Sequence, residues 1–381
     1  MVILEKIKPM TEKQKLFINA LANERINLIG AFGPTGTGKS FIASIFSIDM
    51  VLVDKYEKFI VSKPIIDIKT GKEYTIAELG ETYNRVALDY LYDITSNVLS
   101  RNELNKLIEE GRIVVADPHF LRGRTFDNSI VLLDDAQLIS IETLTEVLIR
   151  LGQHSKLIIA GDPVLQKIDI SGLKDGATLA RELLMGEEKA VVIDFGLKDI
   201  VRPGAKKGVK LALELRMRRR PLTDEEQRIL DTSYMYAPDA DIVTVVYVKD
   251  EKEKFKLENV PDALIISKED YLGRLVGKGG ERIRSIEKDT GLSLRAVELT
   301  LNLKPIITAL HPIGWIGKHI IDVDFAGPDL EVIVDQANFG AFLGLKGVHV
   351  RLIDSVMRKI LNVGVRAKQV QVRKESKKRR R

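Results

Sequence analysis

The chain has no cysteine among its 381 residues, which excludes disulfides, zinc–thiolate sites and a thiol nucleophile and fits a reducing compartment. Its five histidines, His119, His154, His311, His319 and His349, show no metal-ligand spacing, and each reads as structural. Aromatic residues make up 6% of the chain and tryptophan occurs once, as Trp315. Set among isoleucines, Trp315 reads as core or interdomain filling, with stacking on a base as the alternative. No apolar run approaches the ~18 residues of a membrane span, and the opening MVILEKIKPM lacks the apolar core of a signal peptide. These absences predict a soluble, cytoplasmic chain with no membrane partner. Nor does one sign of charge dominate, since 59 Lys and Arg face 54 Asp and Glu for a net charge of +5. The positive excess is concentrated in Arg373 to Arg381, a run without apolar residues that predicts a disordered basic tail.

What is present is enough apolar material, 45% of the chain, for two or three cored domains. Gly33-Pro34-Thr35-Gly36-Thr37-Gly38-Lys39-Ser40 fits the phosphate-loop pattern G-x-x-x-x-G-K-[ST] at every fixed position. A buried strand is expected before it, over Ile26 to Phe32, and a helix after it, from near Lys39. In that context glycines let successive backbone N–H groups and a helix N-terminus converge on a polyphosphate. Lys39 reaches the β- and γ-phosphates and the Ser40 hydroxyl ligates Mg²⁺. The alternative, a glycine turn that binds nothing, lacks a reason for this strand–loop–helix context.

Two further apolar strands end in polar groups. Ser129 to Leu133 delivers Asp134 and Asp135, as phosphate-loop NTPases deliver the carboxylate that holds Mg²⁺. Asp134 is the metal-side candidate, and Asp135 the one placed to polarise water. Lys156 to Ala160 leads to Gly161, Asp162 and Gln166, where a polar group senses the γ-phosphate. Ligands bind at this carboxyl edge in open α/β sheets. Gln14, on an expected helix over Thr11 to Leu21, is a candidate reader of an adenine edge, with a plain surface residue as the alternative. The role of residues 65–111 is not readable.

The ordered set GPTGTGKS (33 to 40), LRGRT (121 to 125), LLDDAQ (132 to 137), IRLG (149 to 152), GDPVLQ (161 to 166) and DIVRP (199 to 203) resembles the PhoH-like ATPases, relatives of the superfamily 1 helicase core. The resemblance covers about residues 10 to 215. It implies a RecA-like parallel sheet with helices on both faces, Gln137 as part of the second motif, Gln166 as a γ-phosphate sensor and Arg202 as an arginine finger. It also implies a homo-oligomeric ring such as a hexamer, with Arg202 reaching a neighbour's nucleotide. Two positions depart from the family pattern. Asp135 stands where glutamate is usual, which implies slower turnover because a shorter side chain must sit closer to the water. Lys63 stands where arginine is usual.

Beyond a break at Pro221 the expected order is helix, strand, charged hairpin, strand, short helix, Gly277-Lys278-Gly279-Gly280, longer helix and strand. Absent side chains in G-x-x-G let a nucleic-acid backbone approach, and Lys278 adds a cation for phosphate. The run VGKGGERIRSIEKDTG looks like a KH signature of the type II form. The same order recurs around Gly344-Leu345-Lys346-Gly347, similar to a second KH domain, with Leu345 in the usual polar position. The expected organisation is an α/β P-loop NTPase domain (1–220), two small α+β KH-like domains (221–300 and 301–372) and a basic tail (373–381). The expected function is Mg²⁺-dependent ATP hydrolysis coupled to remodelling of single-stranded RNA. The alternative is a nucleotide-gated RNA-binding scaffold.

Overall fold

The computed structural model describes residues 7–67, 69–120, 125–166 and 174–371. Arg122 to Arg124 of the LRGRT motif, its Leu121 and the basic tail lie outside the described residues. The chain divides into two compact units, Met1–Lys206 and Lys207–Arg381. This division falls inside a helix rather than at Pro221, where composition had suggested a boundary.

In the first unit the elements run α1 (Glu12–Ala22), β1 (Leu28–Phe32), α2 (Lys39–Leu52), β2 (Lys58–Ser62), β3 (Ile65–Ile66), β4 (Glu73–Tyr74), α3 (Ile76–Leu79), α4 (Glu81–Thr95), α5 (Arg101–Glu109), β5 (Ile113–Ala116), β6 (Ser129–Leu133), α6 (Ile141–Leu148), β7 (Lys156–Gly161), α7 (Gly176–Leu184) and β8 (Ala190–Asp194). Six of these strands form one sheet in the order β5-β2-β6-β7-β1-β8, with every pairing parallel. Such a sheet is covered on both faces, so its strands are continuously apolar. Alternation divides each strand between two cores. Ile29, Ile130, Leu132, Ile158 and Ala160 join Phe17, Ile42 and Ile45 on one face, while Val131, Leu133, Leu157 and Ile159 join Ala177 and Leu184 on the other. The strands that carry the polar ends, β6, β7 and β1, lie side by side in the middle of the sheet. That adjacency gathers Asp134, Asp162 and the phosphate loop at one edge.

The division between the units falls within α8 (Pro203–Arg218). The second unit continues with α9 (Asp224–Tyr236), β9 (Ile242–Tyr247), α10 (Lys249–Lys254), β10 (Ala263–Lys268), α11 (Leu272–Val276), α12 (Glu281–Thr290), β11 (Leu294–Leu299), α13 (Lys304–Leu310), β12 (Ile320–Ala326), β13 (Asp329–Asp335), α14 (Phe339–Leu343), α15 (Val348–Leu361) and β14 (Gly364–Val370). Where a charged hairpin was expected, KDEKEK forms α10; Lys and Glu are good helix formers and alternating i, i+4 charges suit an exposed turn of helix.

The unit is an internal repeat. In each half the first strand pairs antiparallel with the second and the second parallel with the third, giving sheets ordered β9-β10-β11 and β12-β13-β14. Each half buries its own core, Ile229, Val245, Ile265, Leu275 and Ile286 in the first and Val332, Val334, Phe342, Ile353 and Val356 in the second. Among the described residues no helix is long and apolar enough to cross a membrane.

Candidate functional site

The loop between β1 and α2 is held from both sides. Gly33 N donates to Gly161 O at 2.9 Å, and Gly33 has φ +140, where a Cβ would stand 2.1 Å from Phe195 O. No other residue type fits that close approach without moving the backbone. Thr37 is fully buried and its hydroxyl donates to Pro34 O at 3.0 Å. Gly38 is left-handed, and α2 begins after it without a side-chain cap, so its first N–H groups remain available to an anion.

Gln14 is buried and its amide is spent on this scaffold. Its Nε2 donates to Thr37 O at 2.9 Å, and its Oε1 accepts from Met10 N at 2.7 Å. Rather than standing free to read a base edge, Gln14 ties α1 to the loop. That helix is fastened in turn by Lys156, whose Nζ donates to Leu21 O at 2.6 Å and Asn23 O at 3.0 Å. Burial lowers the Lys156 ammonium to about 8.

A cleft of about 570 Å³ opens at the carboxyl edge of the sheet, lined among others by Lys39, Ser40, Asp134, Asp135, Gln166 and Arg202. The sequence-predicted residues Thr35, Gly36 and Gly38 line it too, whereas Gln14 does not. Lys39 Nζ donates to Gly33 O at 2.7 Å and Pro34 O at 2.8 Å. Burial pushes its pKa down, against the pull of Asp162, Asp134 and Asp135, so a polyphosphate entering here meets an ammonium that gains from its charge.

Ser40 Oγ donates to Asp134 Oδ1 at 2.9 Å, and Asp135 N donates to the same oxygen at 3.0 Å. Among the described residues no group of three or more acidic or histidine side chains converges as a metal cage. The hydroxyl–carboxylate pair does fit Mg²⁺, which takes one or two carboxylates and completes its shell with phosphate and water. Asp135 has φ 51, and Gln137 links the two acidic strand ends, donating from Nε2 to Asp135 Oδ1 at 3.2 Å and accepting at Oε1 from Asp162 N at 2.9 Å.

Arg202 lies against its own loop. Its backbone N donates to Gly36 O at 3.3 Å and its guanidinium reaches Thr35 Oγ1 at 3.4 Å. The resemblance assigns this residue to a neighbour's nucleotide; here it lines the cleft of its own chain.

Sequence reasoning missed one group and noted a second, Lys63, without assigning it a role. Tyr90, from α4 in the stretch with no readable role, donates its hydroxyl to Asp134 Oδ2, and burial, reinforced by Asp134, holds that hydroxyl protonated. Lys63, at the end of β2, pairs with Asp135. Nothing in the sequence around Tyr90 marks the carboxylate it meets, because that partner lies 44 residues away in the chain.

In the second unit the two remaining glycine loops share one backbone path. Gly277, Gly279 and Gly280 have φ/ψ of 76/173, 60/18 and 81/19, and Gly344, Lys346 and Gly347 have 69/174, 55/26 and 71/24. Each leads into a helix without a side-chain cap, α12 and α15. Lys278 and Leu345 occupy the same exposed tip.

The family described as PhoH-like protein matches residues 6–214. The PhoH-like protein of Bacillus subtilis is 31% identical over 199 residues, which is 52% of this chain and 61% of that protein. Protein PhoH of Escherichia coli K12 is 26% identical over 194 residues, 50% of this chain and 53% of that one. The matched region thus spans less than two thirds of these curated relatives. Among solved structures, the Pyrococcus furiosus Hef helicase domain is similar at TM-score 0.29 and 10% identity, covering 76% of this chain and 55% of that one. The crystal structure of APE1850 is similar at TM-score 0.29 and 20% identity, covering 39% of this chain and all of that one. The phosphate loop, the paired aspartates after β6 and the glutamine after β7 all fall inside the matched residues, and the chain belongs to the PhoH-like family.

Proposed function

We propose that this protein is a Mg²⁺-dependent ATPase that binds single-stranded RNA through its two repeats and couples hydrolysis to remodelling of that RNA. The observation that carries the enzymatic half is the convergence of Lys39, Ser40, Asp134, Asp135 and Gln166 on one cleft. Lys39 and the uncapped start of α2 neutralise the β- and γ-phosphates, and Ser40 and Asp134 hold Mg²⁺, which supplies further charge neutralisation when bound. Water oxygen attacks the γ-phosphorus, Asp135 accepts the water proton, and the β–γ bridging oxygen leaves with ADP. Gln166, beyond the neighbouring strand end, senses the γ-phosphate.

For the RNA half, the strand and helix order of each repeat is similar to type II KH domains. Gly277 to Gly280 and Gly344 to Gly347 would meet the sugar-phosphate backbone, with Lys278 and Lys346 as phosphate cations. A cytoplasmic homo-oligomer, in a ring, is the assembly this reading favours. Phosphate release by the full chain with Mg²⁺ and ATP tests the proposal. Turnover that chelation abolishes and single-stranded RNA accelerates is expected, and a chain that binds no nucleotide overturns it.

A second reading, a nucleotide-gated RNA-binding scaffold with incidental hydrolysis, is favoured by the ion pair that engages Asp135. Under it, turnover equals that of Asp135→Asn while nucleotide still alters RNA affinity.

A further inference from the structure

Lys63 and Asp135 face each other because β2 and β6 are neighbours in register. Ser62 pairs with Leu133, and Asp134 N donates to Ser62 O at 2.9 Å, so the residues that follow the two strands emerge side by side. Lys63 Nζ forms an ion pair with Asp135 Oδ2, while Asp135 Oδ1 accepts from Gln137 Nε2 at 3.2 Å. Both carboxylate oxygens are therefore engaged by donors. A carboxylate with both oxygens occupied leaves an incoming water fewer open lone pairs to donate to.

The ammonium is placed to leave. Lys63 and Asp135 keep side-chain exposures of 24% and 28%, and both line the cleft beside Lys39 and Ser40. Helix α4 prepares the place. The Tyr83 hydroxyl donates to Lys63 O at 3.1 Å, fixing the backbone, and the Tyr90 ring lies under Lys63 Nζ with its centroid 4.3 Å away. A ring face attracts a cation without claiming a hydrogen bond, so it steadies Lys63 and leaves its N–H groups to whichever anion is strongest. Burial disfavours the Lys63 charge, and Asp134 and Asp135 outweigh that, holding its pKa above the ordinary value. A nucleoside triphosphate brings to this cleft an additional terminal phosphate that a diphosphate lacks.

We propose that Lys63 is a positioning and specificity-determining residue: it occupies Asp135 until the terminal phosphate of a nucleoside triphosphate draws its ammonium away, so that Asp135 becomes available to water only in the triphosphate state. This rests on the ATPase reading of the cleft and names its control. The usual penalty of an aspartate in that position is joined by a guard against activating water when no substrate is present.

Equilibrium binding to the full chain separates this from a static ion pair without relying on turnover. The probes are the β,γ-imido analogue of ATP and ADP, each with Mg²⁺, against the wild type, Asp135→Asn, Lys63→Met and the double variant. Asp135→Asn frees Lys63 and tightens the triphosphate analogue about fivefold, the scale of one partly exposed ion pair, with ADP unchanged. In the Lys63→Met background the same substitution changes neither nucleotide, and the preference for triphosphate over diphosphate narrows. ADP affinity reports that each variant retains a folded cleft, and Lys63→Gln gives the same comparison if Lys63→Met loses it. Equal tightening of both nucleotides by Asp135→Asn, or tightening that persists without Lys63, overturns the proposal. Failure of the wild type to bind either nucleotide overturns the ATPase reading instead.

Discussion

Three glycine loops in this chain each deliver the backbone into a helix that has no side-chain cap, after a left-handed glycine at Gly38, Gly280 or Gly347. The device is shared, and its surroundings differ. At the phosphate loop the backbone is wedged against Phe195, Thr37 is fully buried, and charged side chains that follow β1, β2, β6 and β7 converge on one cleft. At Gly279 nothing lies within 4 Å of where a Cβ would be. An enclosed loop fixes a small polyphosphate against groups that do chemistry. An open one admits a long chain that passes over it and continues.

The two open loops also differ from each other. Counting from Gly277 and Gly344, Arg274, Lys278 and Arg282 correspond to Ala341, Leu345 and His349, and Arg284 to Arg351. The second loop keeps the backbone path with fewer cations, Lys346 and Arg351 against Arg274, Lys278, Arg282 and Arg284, and Leu345 stands 83% exposed at its tip. On the proposed RNA-binding reading, that difference places more of the electrostatic grip on the first loop.

Separation of the enclosed loop from the open ones is tested most severely by Lys39→Ala. Turnover should fall about a thousandfold, while RNA affinity, which the proposed function assigns to the other unit, should stay within about twofold; loss of both together breaks the comparison. Enclosure itself is tested by paired alanine substitutions. Gly33→Ala forces a Cβ onto Phe195 O and should destabilise the first unit by about 3 kcal/mol, whereas Gly279→Ala should cost only about 1 kcal/mol of left-handed strain. Urea midpoints of the two variants decide it, and equal shifts would refute the enclosure argument.

The second open loop rests on a buried imidazole, and this gives it an acid dependence. His311 Nε2 donates to Phe342 O at 3.0 Å and Nδ1 accepts from Ile313 N at 3.1 Å, so the neutral ring is fully satisfied, and burial lowers its pKa to about 4. The folded value lies below the unfolded one near 6.5, so the stability contribution is complete above pH 6.5 and is lost as pH falls toward 4. The second unit should lose about 2 kcal/mol between pH 6.5 and 4.5 from this group. Melts of wild type and His311→Gln measure it, and an identical acid slope in both would remove His311 from the account. The smallest effect expected is on RNA itself. Gly279→Asp should weaken single-stranded RNA about tenfold and Leu345→Asp about threefold, as a carboxylate repels phosphate more where cations had concentrated it. The reverse ranking would place the principal grip on the second loop.

Much of the cleft was legible because its groups sit in short contiguous motifs at strand ends, and a parallel sheet brings such ends together whatever the intervening chain does. Lys39, Ser40, Asp134, Asp135 and Gln166 were found that way. Tyr90 and the pairing of Lys63 with Asp135 were not, because they depend on which strands are neighbours and which turn of α4 faces them. Gln14 was expected on α1 as an adenine reader, and nothing local shows that Thr37 O claims its amide donor. The six residues of α10 were too few to show a period and were read as a hairpin. The repeat, by contrast, was visible from one spacing of glycines, which the φ/ψ values of both loops reproduce.

Coupling between the enclosed loop and the open ones is the central claim, and a single titration addresses it. The steady-state ATP hydrolysis rate of the full chain is measured against increasing single-stranded RNA at several fixed salt concentrations. A saturable rise is expected, with a midpoint that moves to higher RNA concentration as salt increases. A rate that stays flat across the titration at every salt concentration, while RNA is bound, would contradict it.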